Sequence, residues 1–403
     1  MGKEGSLRVG LLAPSPIPFK VPLYRRIAAA DGIDLTVIYA SSAGVRSPSI
    51  GGYGTGVYWD SDLLGGYRSR FLAKADDNLP NRFATSELAD SDVIGLVRRE
   101  RFDVLWSEGY NWLTNLFAIG AQRSIGGGVV LRDTQNLLHP RGLAKSLVKQ
   151  LWLVGLFGQI DAAVYIGREN RRWLEHYGFT PEQLFSAPYG TDTDKFVAEA
   201  RELIPRRREL RSEFGFAEDV GPIVLSASRL VPAKQPLMLL EAFRRVRLRR
   251  RCGLLVVGSG EEETEMRARV EAQSIPDVIF AGFLNQSEIS RAYAAADIFG
   301  LLSAWGETYG VVVAEALYFG LPLLLSDKVG SAGDLLGDGG NGYLVARDDV
   351  GGAADALERM VADPELRARF SAESSRKIAA RGVDSAAAGA LAAIRYAAEA
   401  RRR

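Results

Sequence analysis

The segment that decides the fold is residues 303–327, which read SAWGETYGVVVAEALYFGLPLLLSD. Residues 310–319 predict a helix, because helix-forming side chains follow a glycine and because Gly320 and Pro322 then stop the pattern. The segment therefore contains a loop, a helix and a helix stop.

Two carboxylates lie on either side of the start of this helix. Glu307 is in the preceding loop and Glu315 is inside the helix. From Gly310 to Glu315 the axis advances roughly 7.5 Å, a length comparable to that of a diphosphate. Between the two acids lie the backbone N–H groups of Tyr309, Gly310 and Val311, where the helix dipole favours an anion. This arrangement suits a ligand with hydroxyl groups at both ends and phosphates between them.

The pattern of Glu307, seven residues and Glu315 resembles the signature of the family 4 glycosyltransferases. Those enzymes are retaining and have the GT-B fold, an α/β fold of two Rossmann-like domains with doubly wound parallel sheets facing a cleft. The resemblance implies that Glu307 contacts the donor sugar and that Glu315 holds the ribose hydroxyls. It also implies a donor site lined by Thr308, Tyr309, Gly310 and Val311. The alternative is a capped amphipathic helix with Glu315 in water.

The composition is that of a globular protein with more than one domain. The chain has 403 residues, 47% of them hydrophobic and 25% charged. Lys and Arg total 50 against 49 Asp and Glu, so no overall field would recruit nucleic acid. The single cysteine, Cys252, excludes an intramolecular disulfide, and with only two histidines no Cys/His zinc site is expected. No apolar run is long enough for a signal peptide or a membrane span, which predicts a cytoplasmic protein.

The first half of the chain alternates apolar runs with helical segments, which predicts a parallel sheet. Family 4 enzymes place a flexible, often glycine-rich loop after the first strand. This chain has the stiffer sequence PSPIPFKVP at 14–22 instead. Residues 41–66, rich in Gly, Ser and Tyr, predict a long surface loop, for which an acceptor lid is our hypothesis.

Asp133 follows the predicted strand 129–132. Many family 4 enzymes have a histidine at this point, close to the reacting sugar. A carboxylate here would accept a hydrogen bond from an acceptor or sugar hydroxyl, as a base or an orienting group. The alternative, an aspartate that caps the following turn, fits the sequence equally well.

Residues 141–160 combine Arg141, Lys145 and Lys149 with Trp152 and several leucines in a basic amphipathic pattern. Such a helix could lie on a membrane surface, through 141–158, and meet a lipid-linked acceptor there. The pattern more often indicates a helix packed on the sheet with its lysines in water, and we favour that interpretation.

Residues 188–196, PYGTDTDKF, resemble the segment that joins the two domains of the family, and Gly190 permits a tight turn there. They predict an acceptor-side domain at 1–190 and a nucleotide-sugar-binding domain at 191–383. In GT-B proteins the last helix crosses back onto the first domain, which predicts that 384–403 does so here.

Two cations follow a strand in the second half. Arg229 and Lys234 lie between the strand 222–227 and a helix that begins at Pro236. Their spacing resembles the phosphate-binding pair of the family. Two cations beside a helix start would stabilise the charge that grows on a departing diphosphate.

Two further loops complete the predicted donor site. Gly258 ends the strand 253–258 and Gly260 follows it, and Phe283 and Leu284 follow the strand 278–281. The family places similar segments near the nucleotide and its base. As a nicotinamide fingerprint the glycines are incomplete, since Glu263 stands where a third glycine would be needed.

The sequence therefore predicts a retaining, metal-independent glycosyltransferase without a cofactor. Its donor would be a nucleotide diphosphate sugar, and its acceptor a hydroxyl of a glycan, a lipid-linked molecule or a small molecule. UDP-sugars come first and GDP-sugars second, by analogy with the family. The main alternative is a non-catalytic nucleotide-sugar-binding protein, and a nicotinamide oxidoreductase is the less favoured one. Glu307, Asp133, Arg229 and Lys234 are the candidate catalytic residues.

Overall fold

The computed structural model describes residues 5–46, 57–76, 88–138, 143–189 and 191–401, with the backbone alone described for 143–148. Gly190 of the predicted linker lies outside these residues. Contacts divide the chain into two units. The first holds the described residues up to 189 together with those from Gly382 onward, and the second is Thr191–Arg381.

The first unit alternates strands and helices in chain order. Its strands are β1 (Leu7–Ala13), β2 (Ile33–Tyr39), β3 (Arg68–Phe71), β4 (Val104–Glu108), β5 (Gly128–Arg132), β6 (Ala162–Tyr165) and β7 (Leu184–Ser186). Its helices begin with α1 (Val21–Ala29), α2 (Asp92–Glu100), α3 (Leu113–Ser124), α4 (Leu143–Phe157) and α5 (Arg168–His176). The described strands form one seven-stranded parallel sheet in the order β3-β2-β1-β4-β5-β6-β7.

Helices cover both faces of this sheet, which is why its central strands are largely apolar. In β1, Leu11 packs in one core with Tyr24 of α1. The next residue, Leu12, points the other way and packs with Val97 of α2 and Ala118 of α3. A sheet buried on two faces with this strand order is the doubly wound arrangement.

The second unit repeats the arrangement. It begins with α6 (Thr193–Leu203) and α7 (Arg207–Phe214), and continues through β8 (Ile223–Ala227), α8 (Pro236–Arg247), β9 (Gly253–Val257), α9 (Glu263–Ala272), β10 (Val278–Gly282), α10 (Ile289–Ala295), β11 (Ile298–Leu301), α11 (Val311–Tyr318), β12 (Leu323–Ser326), α12 (Ala332–Leu335), β13 (Gly342–Val345), α13 (Val350–Ala362) and α14 (Pro364–Ala379). Its six-stranded parallel sheet, again of described residues, has the order β10-β9-β8-β11-β12-β13. Counted from the first strand of each unit, the first six strands of both sheets follow the same order.

The last helix, α15 (Val383–Ala400), belongs to the first unit. It packs on α1 and on the strands β4 to β7. Small residues make this close approach possible: a Cβ on Gly389 would lie 1.8 Å from the carbonyl oxygen of Ser186, and one on Gly128 would lie 2.6 Å from that of Ala397. The predicted fold of two Rossmann-like domains, with a final helix returning to the first, is confirmed.

Three local features differ from the sequence-based expectation. The short strand β3 and the helix α2 were not predicted. The central helix spans Val311–Tyr318, slightly shorter than 310–319. The loop predicted on the surface at 41–66 begins inside the protein, since Ser41 and Ser42 are buried and the Ser42 N–H donates to the carbonyl oxygen of Ala75 at 2.9 Å; residues 47–56 lie outside the described part.

None of the helices in the described residues is long and apolar enough to cross a membrane.

Candidate active site

The predicted donor-site residues lie on loops at one edge of the second sheet, except Val311 and Glu315, which lie in the helix α11 that follows one of these loops. Each loop follows the carboxyl end of a parallel strand, and these ends share an edge where ligands bind in open α/β folds. The loops are joined directly. The N–H of Leu230 after β8 donates to the carbonyl oxygen of Ser259 after β9 at 2.9 Å, and Gly258 donates to Gly282 at the end of β10 at 2.7 Å. The structure therefore brings together loops that are far apart in sequence.

Gly258 and Gly260 are required by this close approach. Both have positive φ, 123° and 156°. A Cβ on Gly258 would lie 2.0 Å from the carbonyl oxygen of Ser228, and one on Gly260 would lie 2.3 Å from that of Leu230. The two glycines allow the loop after β9 to pack against the loop after β8, which explains them without a dinucleotide.

Lys234 and Glu307 form an ion pair between the loops after β8 and β11. Both side chains are largely buried, at 11% and 12% exposed. A second contact joins the same loops, because the N–H of Ala304 donates to the carbonyl oxygen of Ala233 at 2.9 Å. The sequence assigned the two charges to different parts of a ligand but did not predict that they pair with each other.

Arg229 has a different environment from Lys234. It is half-buried in the loop after β8, and its guanidinium makes no ion pair with any residue of the described ranges. The chain then turns through a 3-10 helix at Pro232–Lys234 before α8 begins. This corner of the unit therefore holds one cation neutralised by a carboxylate and one that is not.

Gly310 shapes the loop that leads into α11. Its φ is 87°, a left-handed conformation that glycine adopts without strain. Among the described residues no side chain caps this helix, so its first backbone N–H groups, including that of Val311, keep their capacity for a ligand. Two backbone hydrogen bonds hold the preceding loop. The N–H of Ser331 donates to the carbonyl oxygen of Tyr309 at 2.8 Å, and the N–H of Gly330 donates to that of Glu307 at 3.2 Å. Thr308 and Val311 are half-buried.

Glu315 is buried, with 6% of its surface exposed. The hydroxyl of Tyr293 donates to its Oε2 at 2.7 Å. Burial raises the pKa of Glu315, against the lowering effects of this hydrogen bond and of the charge on Lys195. The alternative interpretation of α11 as an amphipathic helix with Glu315 in water is therefore wrong. A buried carboxylate with one donor has acceptor capacity left for a ligand.

Phe283 and Leu284 follow β10 at the same sheet edge and are half-buried. Their loop joins the rest of the site through the hydrogen bond from Gly258 to Gly282. Their assignment to the nucleotide base stays a prediction.

Asp133 lies at the carboxyl end of β5 in the first unit. It is buried, and its Oδ2 accepts from the N–H of Gln135 at 3.2 Å, so its local contacts are those of a turn cap. Burial raises the pKa of Asp133 to about 6, although the backbone N–H groups of Thr134 and Gln135 lower it. A carboxyl group with this pKa changes protonation near neutral pH, a property of acid–base groups as well as of buried turn caps.

A cluster of buried charges beside Asp133 was not predicted. Glu108, the last residue of β4, accepts from Lys20 Nζ at 2.7 Å and from Trp106 Nε1 at 3.0 Å, and Arg132 Nη1 lies 3.6 Å from its Oε1. The signal in the sequence was a charged residue at the end of two apolar strands, Glu108 and Arg132. Lys20 comes from the loop PSPIPFKVP, so this loop ends in a buried ion pair.

The charges of this cluster compensate one another. Burial alone would raise the pKa of Glu108, but Lys20 and Arg132 outweigh it and hold the pKa below its ordinary value of 4.5. The stability gained from this pairing is therefore present above pH 4.5 and lost as the pH falls below it. Arg132 also lies over the ring of Tyr189, 4.7 Å from its centroid.

We predict that Lys20→Met lowers the free energy of unfolding of the first unit by about 3 kcal/mol at pH 7, because Glu108 loses its nearest cation while buried. Adding Glu108→Gln should recover most of this loss. Thermal and urea unfolding of the single and double variants measure both effects.

Arg8→Met is the matched control, since it breaks the exposed pair of Arg8 with Glu100, whose side chains are 45% and 33% exposed. That pair should contribute less than about 1 kcal/mol. Equal losses in Lys20→Met and Arg8→Met, or no recovery in the double variant, would contradict the role of the cluster.

Comparison with known proteins agrees with this geometry. The profile of the family "Glycosyl transferases group 1" matches residues 207–377, within the second unit. The alpha-D-kanosaminyltransferase of Streptomyces kanamyceticus is 31% identical over 191 residues, 47% of this chain and 48% of the relative. The D-inositol 3-phosphate glycosyltransferase 2 of Catenulispora acidiphila is 30% identical over 60% of this chain and 58% of its own length. The chain thus spans about half to three-fifths of these curated relatives.

Solved structures match nearly the whole chain. Anabaena HepE, in complex with UDP and glucose, superposes with a TM-score of 0.71 at 18% identity, covering 96% of this chain and 98% of that one. WaaG, a glycosyltransferase involved in lipopolysaccharide biosynthesis, gives a TM-score of 0.65 at 17% identity over 95% and 98%. These likenesses concern the fold, which is GT-B. The match to the group 1 glycosyl transferases over 207–377 lies in the second unit, and it agrees with the resemblance to the family 4 glycosyltransferases that Glu307 and Glu315 carry.

Proposed function

We propose that this protein is a retaining glycosyltransferase that moves a sugar from a nucleotide diphosphate sugar to an acceptor hydroxyl. The observation that carries the proposal is the sheet edge of the second unit. There the loop of Glu307 leads into α11, which carries the buried Glu315 with its spare acceptor capacity, and the Lys234–Glu307 ion pair joins that loop to the loop of Arg229. On this proposal the second unit binds the donor and the first binds the acceptor.

Each group has a role that its surroundings support. Glu315 accepts from the ribose hydroxyls, and the N–H groups at the start of α11 receive the diphosphate. Arg229 and Lys234 neutralise the charge that grows on the diphosphate as the bond to the sugar breaks. Glu307, held by Lys234, contacts the sugar hydroxyls. Phe283 and Leu284 lie against the base.

The reaction balances without a protein nucleophile. The acceptor oxygen bonds to the anomeric carbon from the side of the leaving group while the bond from that carbon to the phosphate oxygen breaks. The departing diphosphate takes the acceptor proton, so the products are the glycoside and the nucleoside diphosphate. We predict metal independence because Arg229 and Lys234 would supply the positive charge that other transferases take from a divalent ion.

The donor is proposed to be a UDP-sugar, with a GDP-sugar second. A neighbour of the same fold binds UDP, whereas a Mycolicibacterium smegmatis relative, 29% identical over 57% of this chain, is named as GDP-mannose-dependent. The acceptor class, a glycan, lipid-linked or small-molecule hydroxyl, includes the polyols of the named relatives. Inositol 3-phosphate is a suitable first acceptor to test.

We predict that UDP raises the midpoint of thermal unfolding more than GDP, ADP or dTDP does, with and without EDTA. At a hundred times its Kd a ligand stabilises the folded state by about 2.7 kcal/mol, a shift of about 5 °C or more for a domain of this size. Glu315→Ala should reduce the shift, and Glu373→Ala, which removes a carboxylate paired with Arg376 on α14, should not.

A shift by GDP and not by UDP would overturn the donor assignment alone. An unchanged UDP shift in Glu315→Ala would overturn the assignment of the site. A UDP shift that needs magnesium would overturn the metal-independent binding. Donor turnover with inositol 3-phosphate and a wider acceptor panel distinguishes the enzyme from a non-catalytic binding protein.

We propose that Asp133 acts in its ionised form, accepting a hydrogen bond from the acceptor or the sugar. Because its pKa is about 6, kcat/KM should rise with pH through about 6 and then level off. Asp133→Asn should lower kcat/KM by about a hundredfold and remove this transition. Steady-state rates from pH 5 to 8 measure it.

Stability provides the control for this assignment. Since folding raises the pKa of Asp133, wild-type stability falls relative to Asp133→Asn as the pH rises from about 4 to about 6. A stability difference without any change in the rate profile would mean that Asp133 is only a turn cap.

We propose a peripheral membrane contact through helix α4, the less favoured of the two interpretations of its sequence. Leu153 and Phe157 pack in the core of the first unit, as expected for a helix on the sheet, but Leu151, Trp152 and Val154 are 71%, 46% and 54% exposed. Arg141 lies outside the described residues, and the side chain of Lys145 is not described. An exposed apolar strip with Trp152 in it fits the interface of a lipid bilayer.

We predict that the protein sediments with vesicles containing phosphatidylglycerol and that Leu151→Glu with Val154→Glu weakens this binding about tenfold or more, because two apolar side chains become charged. Leu248→Glu is the control, since Leu248 is 75% exposed in the second unit. Equal binding by all three proteins would contradict the proposal.

A further inference from the structure

Tyr293 is the residue that faces Glu315 inside the second unit. It lies on α10 and is fully buried, and its ring stacks on Phe319 at a centroid distance of 5.5 Å and lies 6.3 Å from the ring of Phe299. These rings come from the end of α11 and from β11. The ring of Tyr293 is therefore fixed by the same elements that carry the candidate site.

The hydroxyl of Tyr293 hydrogen-bonds to one oxygen of the Glu315 carboxylate and not to the other. It donates to Oε2 of Glu315 at 2.7 Å, and no other residue in the described part of the chain donates a hydrogen bond to Glu315. Lys195, whose charge acts on Glu315, donates instead to the carbonyl oxygen of Gln286, and its Nζ lies 4.0 Å from Oε2 of Glu199. Oε1 thus retains its acceptor capacity for a ligand.

We propose that Tyr293 is a positioning residue for nucleotide binding: its hydroxyl holds Oε2 of Glu315 so that Oε1 accepts from the ribose hydroxyls of the donor. This inference depends on the proposed function, in which Glu315 binds ribose. It adds a residue outside the signature, on a helix that precedes it, and gives it a defined action through Glu315.

A purely structural role for Tyr293 makes a different prediction. If its hydroxyl only satisfied a buried carboxylate, removing it would lower stability but would affect ligands with and without ribose hydroxyls equally. If it orients Glu315, the loss appears only for ligands whose hydroxyls reach Glu315. A cycle that combines a protein substitution with a ligand deletion separates the two.

The experiment measures Kd by calorimetry for UDP, GDP and their 2′,3′-dideoxy forms, with wild type, Tyr293→Phe and Glu315→Gln. A hydrogen bond to a charged group supports a change of about tenfold or more. We expect Tyr293→Phe to bind the ribose form of the preferred nucleotide about tenfold more weakly than wild type. We expect all three proteins to bind the dideoxy form alike.

Tyr318→Phe is the matched control, because Tyr318 is a partly buried tyrosine of the same unit whose hydroxyl pairs with Thr193 at 2.9 Å. It should leave every Kd unchanged. Thermal unfolding of each variant shows whether it is folded. If Tyr293→Phe does not fold, Tyr293→His is measured in its place, because histidine keeps a ring and a hydrogen-bond donor. Its Kd for the ribose form should then lie between those of wild type and Glu315→Gln.

The outcomes are distinguishable. Equal losses for ribose and dideoxy ligands in Tyr293→Phe would overturn the positioning role while leaving Glu315 as a ribose ligand. Unchanged Kd values in both Tyr293→Phe and Glu315→Gln would overturn the proposed function of Glu315 and the inference with it. If wild type binds the dideoxy form and Tyr293→Phe does not, the positioning role is also contradicted.

Discussion

Parallel winding is the constraint on which the rest of this structure depends. Because the described strands of each sheet are parallel, their carboxyl ends lie at one edge of that sheet. In the first unit this edge carries Glu108 and Asp133, and in the second it carries Arg229 and the loop of Glu307. Residues distant in sequence thus become neighbours because each ends a strand, and glycines such as Gly258 let the loops between them touch.

Buried carboxylates at these two edges are satisfied to different degrees, and this difference separates a structural role from a binding role. Glu108 has two cations and an indole donor, and its pKa lies below the ordinary value. Glu315 has one neutral donor, and its pKa lies above it. A carboxylate with a full set of partners stabilises the fold, whereas one with unused acceptor capacity is stabilised further by a ligand.

The sequence predicted most of the layout and part of the site. Apolar runs identified the buried strands, and helix stops such as Gly320 fixed the ends of helices. The strand β3 was not predicted, because its residues, RSRF, are exposed or half-buried at the sheet edge and form no apolar run. The cluster around Glu108 was not predicted, because a charged residue at a strand end is ordinarily in water. Only the packed structure shows that Lys20 contacts Glu108.

By itself the sequence indicated the family resemblance, the two parallel sheets, the loop positions of Glu307, Arg229 and Lys234 and the helical position of Glu315, because hydrophobic periodicity and local spacing are encoded over short stretches of chain. The tertiary structure alone decided which charges pair, which carboxylate is buried and which hydroxyl faces it. Those properties depend on residues separated by tens of positions, such as Lys234 with Glu307 and Tyr293 with Glu315. Burial and desolvation arise only when the layers pack, so no local pattern can specify them.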